Sequence, residues 1–132
     1  EDLKQVFKLV KNYLNPDGIM IFDINSEYKL REILGGNTFV NEEQGVYYVW
    51  QSEFDEESGI CDFELNFFCE QPNGSYVRFD EFQSEKAYKI EEIMGIAVSA
   101  GLDVTGIYKP FEFSSPDDKE ERIFFAISPK IC

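Results

Sequence analysis

The stretch Asn15 to Ser26, NPDGIMIFDINS, constrains the chain most. Asn15-Pro16-Asp17-Gly18 is a turn, because proline cannot continue a helical ladder and glycine tolerates positive φ. The apolar run Gly18 to Ile24 follows without alternation and ends in Asp23 and Asn25. A strand with one wet face alternates, whereas a strand covered on both faces does not. The run is therefore expected as a buried strand, with Ile19–Ile24 too apolar for a sheet edge and polar groups at its C-terminal tip. Ahead of it Leu3, Val6, Phe7, Val10 and Leu14 recur at helical spacing, with Asp2 as the expected N-cap. Helix, turn and buried strand make an α/β unit.

Ser26 is placed to cap a second helix, Glu27 to Leu34, ended by Gly35-Gly36. The texture then changes to three β-rich segments, GVYYVWQSEF, GICDFELNFFCE and SYVRFDEFQSEKAY, separated by DEES and QPNG. In the middle one Cys61, Phe63, Leu65, Phe67 and Cys69 share one face, and Asp62, Glu64 and Asn66 the other. Placing Phe67 opposite Phe79 and Cys69 opposite Val77 keeps the apolar faces together and leaves a five-residue loop, Gln71 to Ser75. That is an antiparallel three-stranded meander. Ile90, Ile93, Met94, Ala97 and Ala100 restore helical spacing, and Gly101 lies just past the helix end. Val104 to Phe113 and Arg122 to Ser128 read as strands around a charged loop. The expected organisation is 1–44 helix-strand-helix core, 45–88 inserted sheet, and 89–132 closing helix and strands.

Charge narrows the function. Twelve Lys and Arg against 26 Asp and Glu give a net charge of −14, which repels phosphate backbones and anionic membrane surfaces, so neither nucleic acid nor membrane is an expected partner. Cys61, Cys69 and Cys132 form no Cys-x-x-Cys pair and read as small apolar groups, not as a zinc site or a disulfide framework. With no apolar run long enough to span a bilayer, the chain reads as cytoplasmic. It begins at Glu1, which reads as a fragment or a processed product.

The order of these pieces resembles the C-terminal half of class I S-adenosylmethionine-dependent methyltransferases, most closely a bacterial small-molecule group with a β-rich insertion. The resemblance is carried by DLKQVFKLVKNYLNPDGIMIFDINSEYKL, YYVWQSEFDEES, YVRFDEFQSEKAYKIEEI, AGLDV and ERIFFAISPK. It implies an α/β, Rossmann-like methyltransferase sheet represented here by one parallel strand and a terminal antiparallel pair with flanking helices. The inserted meander would be a lid on the substrate side. It implies S-adenosylmethionine as methyl donor in the full-length protein only, since the family's glycine-rich loop has no counterpart: Gly35-Gly36 follows a helix and Gly101 ends one. This chain alone is then expected to be inactive. Gln83 stands where many relatives carry histidine, and with no histidine in the chain imidazole base catalysis is excluded from this portion.

Eight residues are substrate-site candidates. Asp23 and Asn25 lie where open α/β sheets bind ligands, although both also suit a cap into the next helix. Tyr28 follows in the next turn, where it lines a pocket or packs a helix. Tyr48 and Trp50 share a face and suit an aromatic wall or plain lid packing. Arg78 suits an anionic group or a salt bridge across to Asp62 and Glu64. Glu81, opposite Leu65, breaks the apolar face as a bulge or as a purposeful carboxylate. Arg122 opens the last strand. The implied partner is a small-molecule methyl acceptor, and the uncovered strand Gly18–Ile24 is expected to drive self-association as a homodimer. The competing class is a non-enzymatic acidic α+β module that binds a basic protein or a small ligand.

Overall fold

Residues 1–130 are described in a computed structural model. Helix α1 (Asp2–Tyr13) carries Asp2 in its first turn, with Glu1 at the N-cap position and no side-chain cap. The expected capping by Asp2 is therefore absent, and its charge in the first turn instead acts on the helix dipole. Strand β1 (Met20–Asn25) follows the turn, and then a π-helix (Lys29–Leu34). Strands β2 (Thr38–Glu43), β3 (Val46–Asp55), β4 (Ile60–Glu70) and β5 (Tyr76–Lys86) come next. Helix α2 (Ile90–Ser99) and strands β6 (Leu102–Tyr108) and β7 (Arg122–Pro129) complete the order.

The chain divides into two units, one of residues 1–29 with 88–132 and one of residues 30–87. In the first, the sheet order is β1-β7-β6 with both pairings antiparallel, so β1 and β6 run the same way on either side of β7. Alternation along β7 buries Ile123, Phe125 and Ile127 under the helices, and Phe22 stacks on Phe125 at 5.2 Å while Phe7 tilts against Phe22 at 5.5 Å. Ile93, Ala97 and Leu102 fill the rest of that core. Stripped of all exposure, side chains the size of Phe125, Ile93 and Leu102 each contribute about 1.5–3 kcal/mol. Gly101 takes φ +82° past the end of α2, as its place in the sequence required.

Strand β1 departs from the expectation of burial on both faces. Met20, Phe22 and Ile24 pack against the helix-side core, while Ile19 and Ile21 are more than half exposed. Among the described residues nothing pairs with its outer edge. On the outer face Ile19 and Ile21 give way to Asp23 and Asn25, so the chemistry alternates with the exposure only over the second half of the strand. The last segments also differ from expectation: β6 ends at Tyr108 with a bulge between Val104 and Gly106, and Phe111 and Phe113 are exposed in a loop. Phe111 takes φ +60°, which no strand accommodates.

The second unit is a four-stranded antiparallel sheet, β2-β3-β4-β5, with a core of Leu30, Leu34, Cys61, Phe63 and Ala87. The β4–β5 register places Phe67 opposite Phe79 and Cys69 opposite Val77, and Gln71 and Ser75 close the hairpin at 2.8 Å, all as the apolar pattern demanded. The meander has one strand more than the three expected, because β2 is exposed at every position and carries no alternation to reveal it. The expected helix Glu27–Leu34 is wound more widely over Lys29–Leu34, where Gly35 N–H donates to the Leu30 carbonyl five residues back at 2.9 Å. Cys61 is fully buried and Cys69 half-buried, and Cys132 lies outside the described residues.

Candidate functional site

The tip of β1 is built by cross-strand register. Asn25 lies opposite Arg122, and Asp23 opposite Phe124, so the side chains of Asp23, Asn25 and Arg122 reach one another on the face of the sheet away from the helices. Arg122 donates through Nη1 to the Asp23 carboxylate and through Nη2 to Asn25 Oδ1 at 3.2 Å. This fork fixes two side chains with one guanidinium. Asp23 is thereby an acceptor already engaged, suited to holding Arg122 and the strand tip in place more than to taking a proton.

Just beyond the tip lies a cavity of about 230 Å³. Tyr28 and Tyr88 line it, with Lys89 and Glu91 from the start of α2 and Asp117 and Glu120 from the charged loop. Ser26 accepts the Lys29 N–H at 3.0 Å and so fixes the turn that presents Tyr28. Lys109 organises the far wall, reaching Asp117 at 2.9 Å and Glu120 at 3.8 Å. The Lys109 hydrogen bond holds the Asp117 carboxyl below the ordinary carboxylate range, and Asp117 in return raises Lys109. Tyr88, Lys89 and the Lys109 clamp were not among the sequence candidates. Lys109 sits eight residues before Asp117, a separation that no short motif records.

On the same face as Arg122, an apolar groove of about 240 Å³ runs past Ile21, Tyr108, Phe111, Phe113 and Phe124. The open face of this sheet is therefore polar at the strand tip and greasy beneath it.

The candidates of the second unit fall on two faces. Tyr48, Trp50 and Glu81 share the apolar one. Tyr48 packs against Phe67 at 6.2 Å and takes Asn41 Nδ2 at 3.5 Å, and Trp50 sits between Phe39 and Phe63. Trp50 Nε1 and Ser52 Oγ are buried without a hydrogen-bond partner among the described residues. Glu81 is opposite Leu65 in an unbroken ladder, which removes the bulge alternative, and Gln83 Nε2 lies 3.4 Å from it. Arg78 is on the opposite face and is held by Asp80 at 2.8 Å, over the Phe68 ring at 5.7 Å. Its hydrogen-bonded partner is thus two residues along its own strand, while Asp80 first and Glu64 across the sheet to a smaller extent raise the Arg78 pKa. Asn66, buried on this polar face, donates to the same Asp80 oxygen at 2.7 Å, and Arg78 and Asn66 together lower the Asp80 pKa.

A Cβ at Gly35 would lie 2.8 Å from the Arg31 carbonyl and from Phe54 Cβ, so this glycine is closed in by packing, whereas a Cβ at Gly36 would meet nothing within 4 Å. No group of three or more His, Cys, Asp or Glu among the described residues is arranged to hold a metal ion.

An antiparallel β7 between two co-directional strands, with helices on one face, matches half of an S-adenosylmethionine-dependent methyltransferase fold. Known proteins agree. The chain is 30% identical over 125 residues to the Bacillus subtilis protein YqeM, named provisionally as a methyltransferase, covering 94% of this chain and 50% of that one. The crystal structure of an S-adenosylmethionine-dependent methyltransferase from Clostridium acetobutylicum superposes with a TM-score of 0.89 at 33% identity, over 98% of this chain and 52% of that one. The CcbJ methyltransferase of Streptomyces caelestis shares the fold at a TM-score of 0.76 and 14% identity, over 97% of this chain and 50% of that one. No family model matches the chain. The chain spans about half the length of these relatives, consistent with a C-terminal half. No helix among the described residues is long and apolar enough to cross a membrane.

Proposed function

We propose that this chain is the substrate-side, C-terminal portion of a cytoplasmic methyltransferase that acts on a small molecule, with S-adenosylmethionine held by residues outside the chain. The observation that carries the reading is the Arg122–Asp23–Asn25 fork at the C-terminal tip of β1, beside a cavity lined by Tyr28 and Tyr88. Ligands bind at the carboxyl ends of strands in open α/β sheets, and a cavity of this size suits a small acceptor better than a macromolecule.

The donor would supply an electrophilic methyl group on a sulfonium. The residues here would orient the acceptor and exclude water, which is where the rate of a direct transfer is gained. Tyr28 and Tyr88 give the cavity two flat walls, and the carboxylates opposite favour an acceptor without negative charge. The free edge of β1 is where further strands of a methyltransferase sheet would pair. A chain deprived of them is expected to self-associate there.

The test is a calorimetric titration of S-adenosylmethionine into this chain and, separately, into the product of the complete gene. Heat from the complete product and none from the chain alone is expected. Saturable donor binding to the chain alone would overturn the assignment of the donor site. In the complete enzyme, Tyr28→Ala is expected to raise the acceptor KM roughly tenfold, the size of about 1.4 kcal/mol, with donor affinity unchanged.

A further inference from the structure

The four-stranded sheet is packed on one face. Leu30 and Leu34 join Cys61 and Phe63 on that side, and the alternate residues of β3, β4 and β5 point to the other. Register sets those outward residues in rows. Glu53, Asp62 and Ser84 lie side by side, then Gln51, Glu64 and Phe82, and two rows further along Tyr47, Phe68 and Arg78. The outward face is thus acidic towards one end and aromatic towards the other. Over the acidic rows lies a cavity of about 200 Å³, walled by Glu53, Asp62, Glu64 and Phe82.

This arrangement costs the sheet stability. Like charges directly opposite each other on neighbouring strands are destabilising, and Glu53 faces Asp62. The two arginines of this unit are engaged elsewhere, Arg31 with Glu56 at 3.0 Å and Arg78 with Asp80 at 2.8 Å. Ser84 donates to the Asp62 carboxylate and Asn66 to Glu64 at 3.4 Å, so two of the three acids are held in place. Phe82 beside them is 75% exposed. A guanidinium relieves both defects, being flat enough to stack on the ring, charged to offset the acids and forked to hydrogen-bond carboxylates.

The rest of the face says what carries that guanidinium. Four strands about 4.8 Å apart and about ten residues long make a face of roughly 15 Å by 30 Å. That is little more than half of the roughly 800 Å² that each partner contributes to a standard interface, so it fits one segment of chain and a transient contact. The row of Tyr47 and Phe68, where Tyr47 also meets Tyr76 at 5.9 Å, lies four residues along from the row of Phe82. An apolar side chain roughly 13 Å from the guanidinium would rest there. A second copy of this chain, at −14, is itself acidic and does not supply the charge. We propose that the outward face of the four-stranded sheet docks a basic segment of another protein, with an arginine in the cavity between Phe82 and the carboxylates and an apolar residue on Tyr47 and Phe68. This role is separate from methyl transfer.

The experiment uses the protein expressed from its complete gene. The probe is a fluorescein-labelled peptide of alternating arginine and leucine, about ten residues long so that it spans the face. Fluorescence anisotropy at about 0.15 M salt, where exposed charges more than about 8 Å apart are largely screened, should show saturable binding. Glu53→Gln with Asp62→Asn should weaken it about tenfold, while the urea midpoint stays level or rises as the repulsion is removed. Asp2→Asn with Asp17→Asn removes as much charge elsewhere and should leave binding within about twofold. The lysine counterpart of the peptide should bind more weakly, and Phe82→Ser should erase that difference. No saturation at several hundred micromolar protein, equal weakening by the Asp2 and Asp17 pair, an arginine peptide bound no better than its lysine counterpart, or a lower urea midpoint for the Glu53 and Asp62 pair would each overturn the inference. So would displacement of the peptide by an equal concentration of free arginine amide, which would mark a small-molecule site instead.

Discussion

Gly35→Ala separates a structural diglycine from a ligand-binding one. A β-carbon built on Gly35 falls 2.8 Å from the Arg31 carbonyl oxygen, 2.8 Å from Phe54 Cβ and 2.9 Å from the Leu30 carbonyl oxygen. None of these is the free end of a flexible side chain. The Leu30 carbonyl is the acceptor that closes the π-helix on Gly35 N–H at 2.9 Å, and it also takes the Cys61 thiol at 3.6 Å. Displacing it loosens both. Overpacking costs about 1–3 kcal/mol and a weakened hydrogen bond about 0.5–1.5 kcal/mol. Alanine recovers about 0.4–1 kcal/mol by restricting the unfolded chain. The net expectation is a loss of about 1–3 kcal/mol in the unit formed by residues 30–87.

Trp50 is the only tryptophan and packs against that unit's core, so its fluorescence reports this transition. At about 1–3 kcal/mol per molar urea, the midpoint should fall by about 1 M. Gly36 supplies the contrast. Its β-carbon would meet nothing within 4 Å, but its φ is +73°. Gly36→Ala should cost about 1–2 kcal/mol from the backbone alone, and Gly36→Asn much less. A wild-type midpoint for Gly35→Ala, or Gly36→Asn as harmful as Gly35→Ala, would refute the packing argument. A Gly35→Ala variant of the complete protein with intact stability and lost donor affinity would refute the functional one, because the diglycine would then be a donor loop after all.

Phe125→Ala removes the centre of the helix-side core and its stack on Phe22, so a loss of about 3–5 kcal/mol and a thermal midpoint lower by roughly 10–20 °C should appear by calorimetry. Asp80 has its pKa depressed by Arg78 and Asn66, so its contribution is complete above the ordinary carboxylate value and disappears as pH falls through the depressed one. Urea midpoints followed through Trp50 should therefore fall less steeply below pH 4 in Asp80→Asn than in wild type. Burial, with Glu85 and Asp62 nearby, pushes the Cys61 thiol up, so iodoacetamide at pH 8 should label Cys69 well before Cys61 by peptide mass mapping.

The elements legible in the sequence are those whose signal is local and one-sided. The run from Cys61 to Cys69 alternates because one face of β4 is covered, and together with a five-residue loop it sets the pairing of Phe67 with Phe79. Gly101 marks the end of α2 because only a left-handed residue fits there. Strand β2 left little trace, since every position is exposed and Phe39 against Trp50 is too little apolar packing to set an alternation. The π-winding of Lys29–Leu34 was hidden for another reason. Leu30 and Leu34 keep ordinary helical spacing, and the wider turn shows only in how Gly35 closes against Leu30 and Phe54.

The site divides along the same line. Asp23, Asn25 and Arg122 could each be singled out by position at a strand end, and the structure joins them through a register that spans nearly a hundred residues. Tyr88, Lys89 and Lys109 could not, because they gain their meaning from the turn before α2 and from a loop that folds back onto β6. The exposed Ile19 and Ile21 carry the complementary lesson. Apolar side chains are costly in water at roughly 25 cal/mol for each Å². On the outer face of β1, Ile19 and Ile21 are therefore a mismatch between composition and burial, ahead of the polar Asp23 and Asn25 on the same face. We expect residues outside this chain, which spans about half the length of its relatives, to cover those two isoleucines. If Ile21→Lys in the complete protein left its stability unchanged, the outer face of β1 would be wet there as well, and the mismatch would lose its explanation.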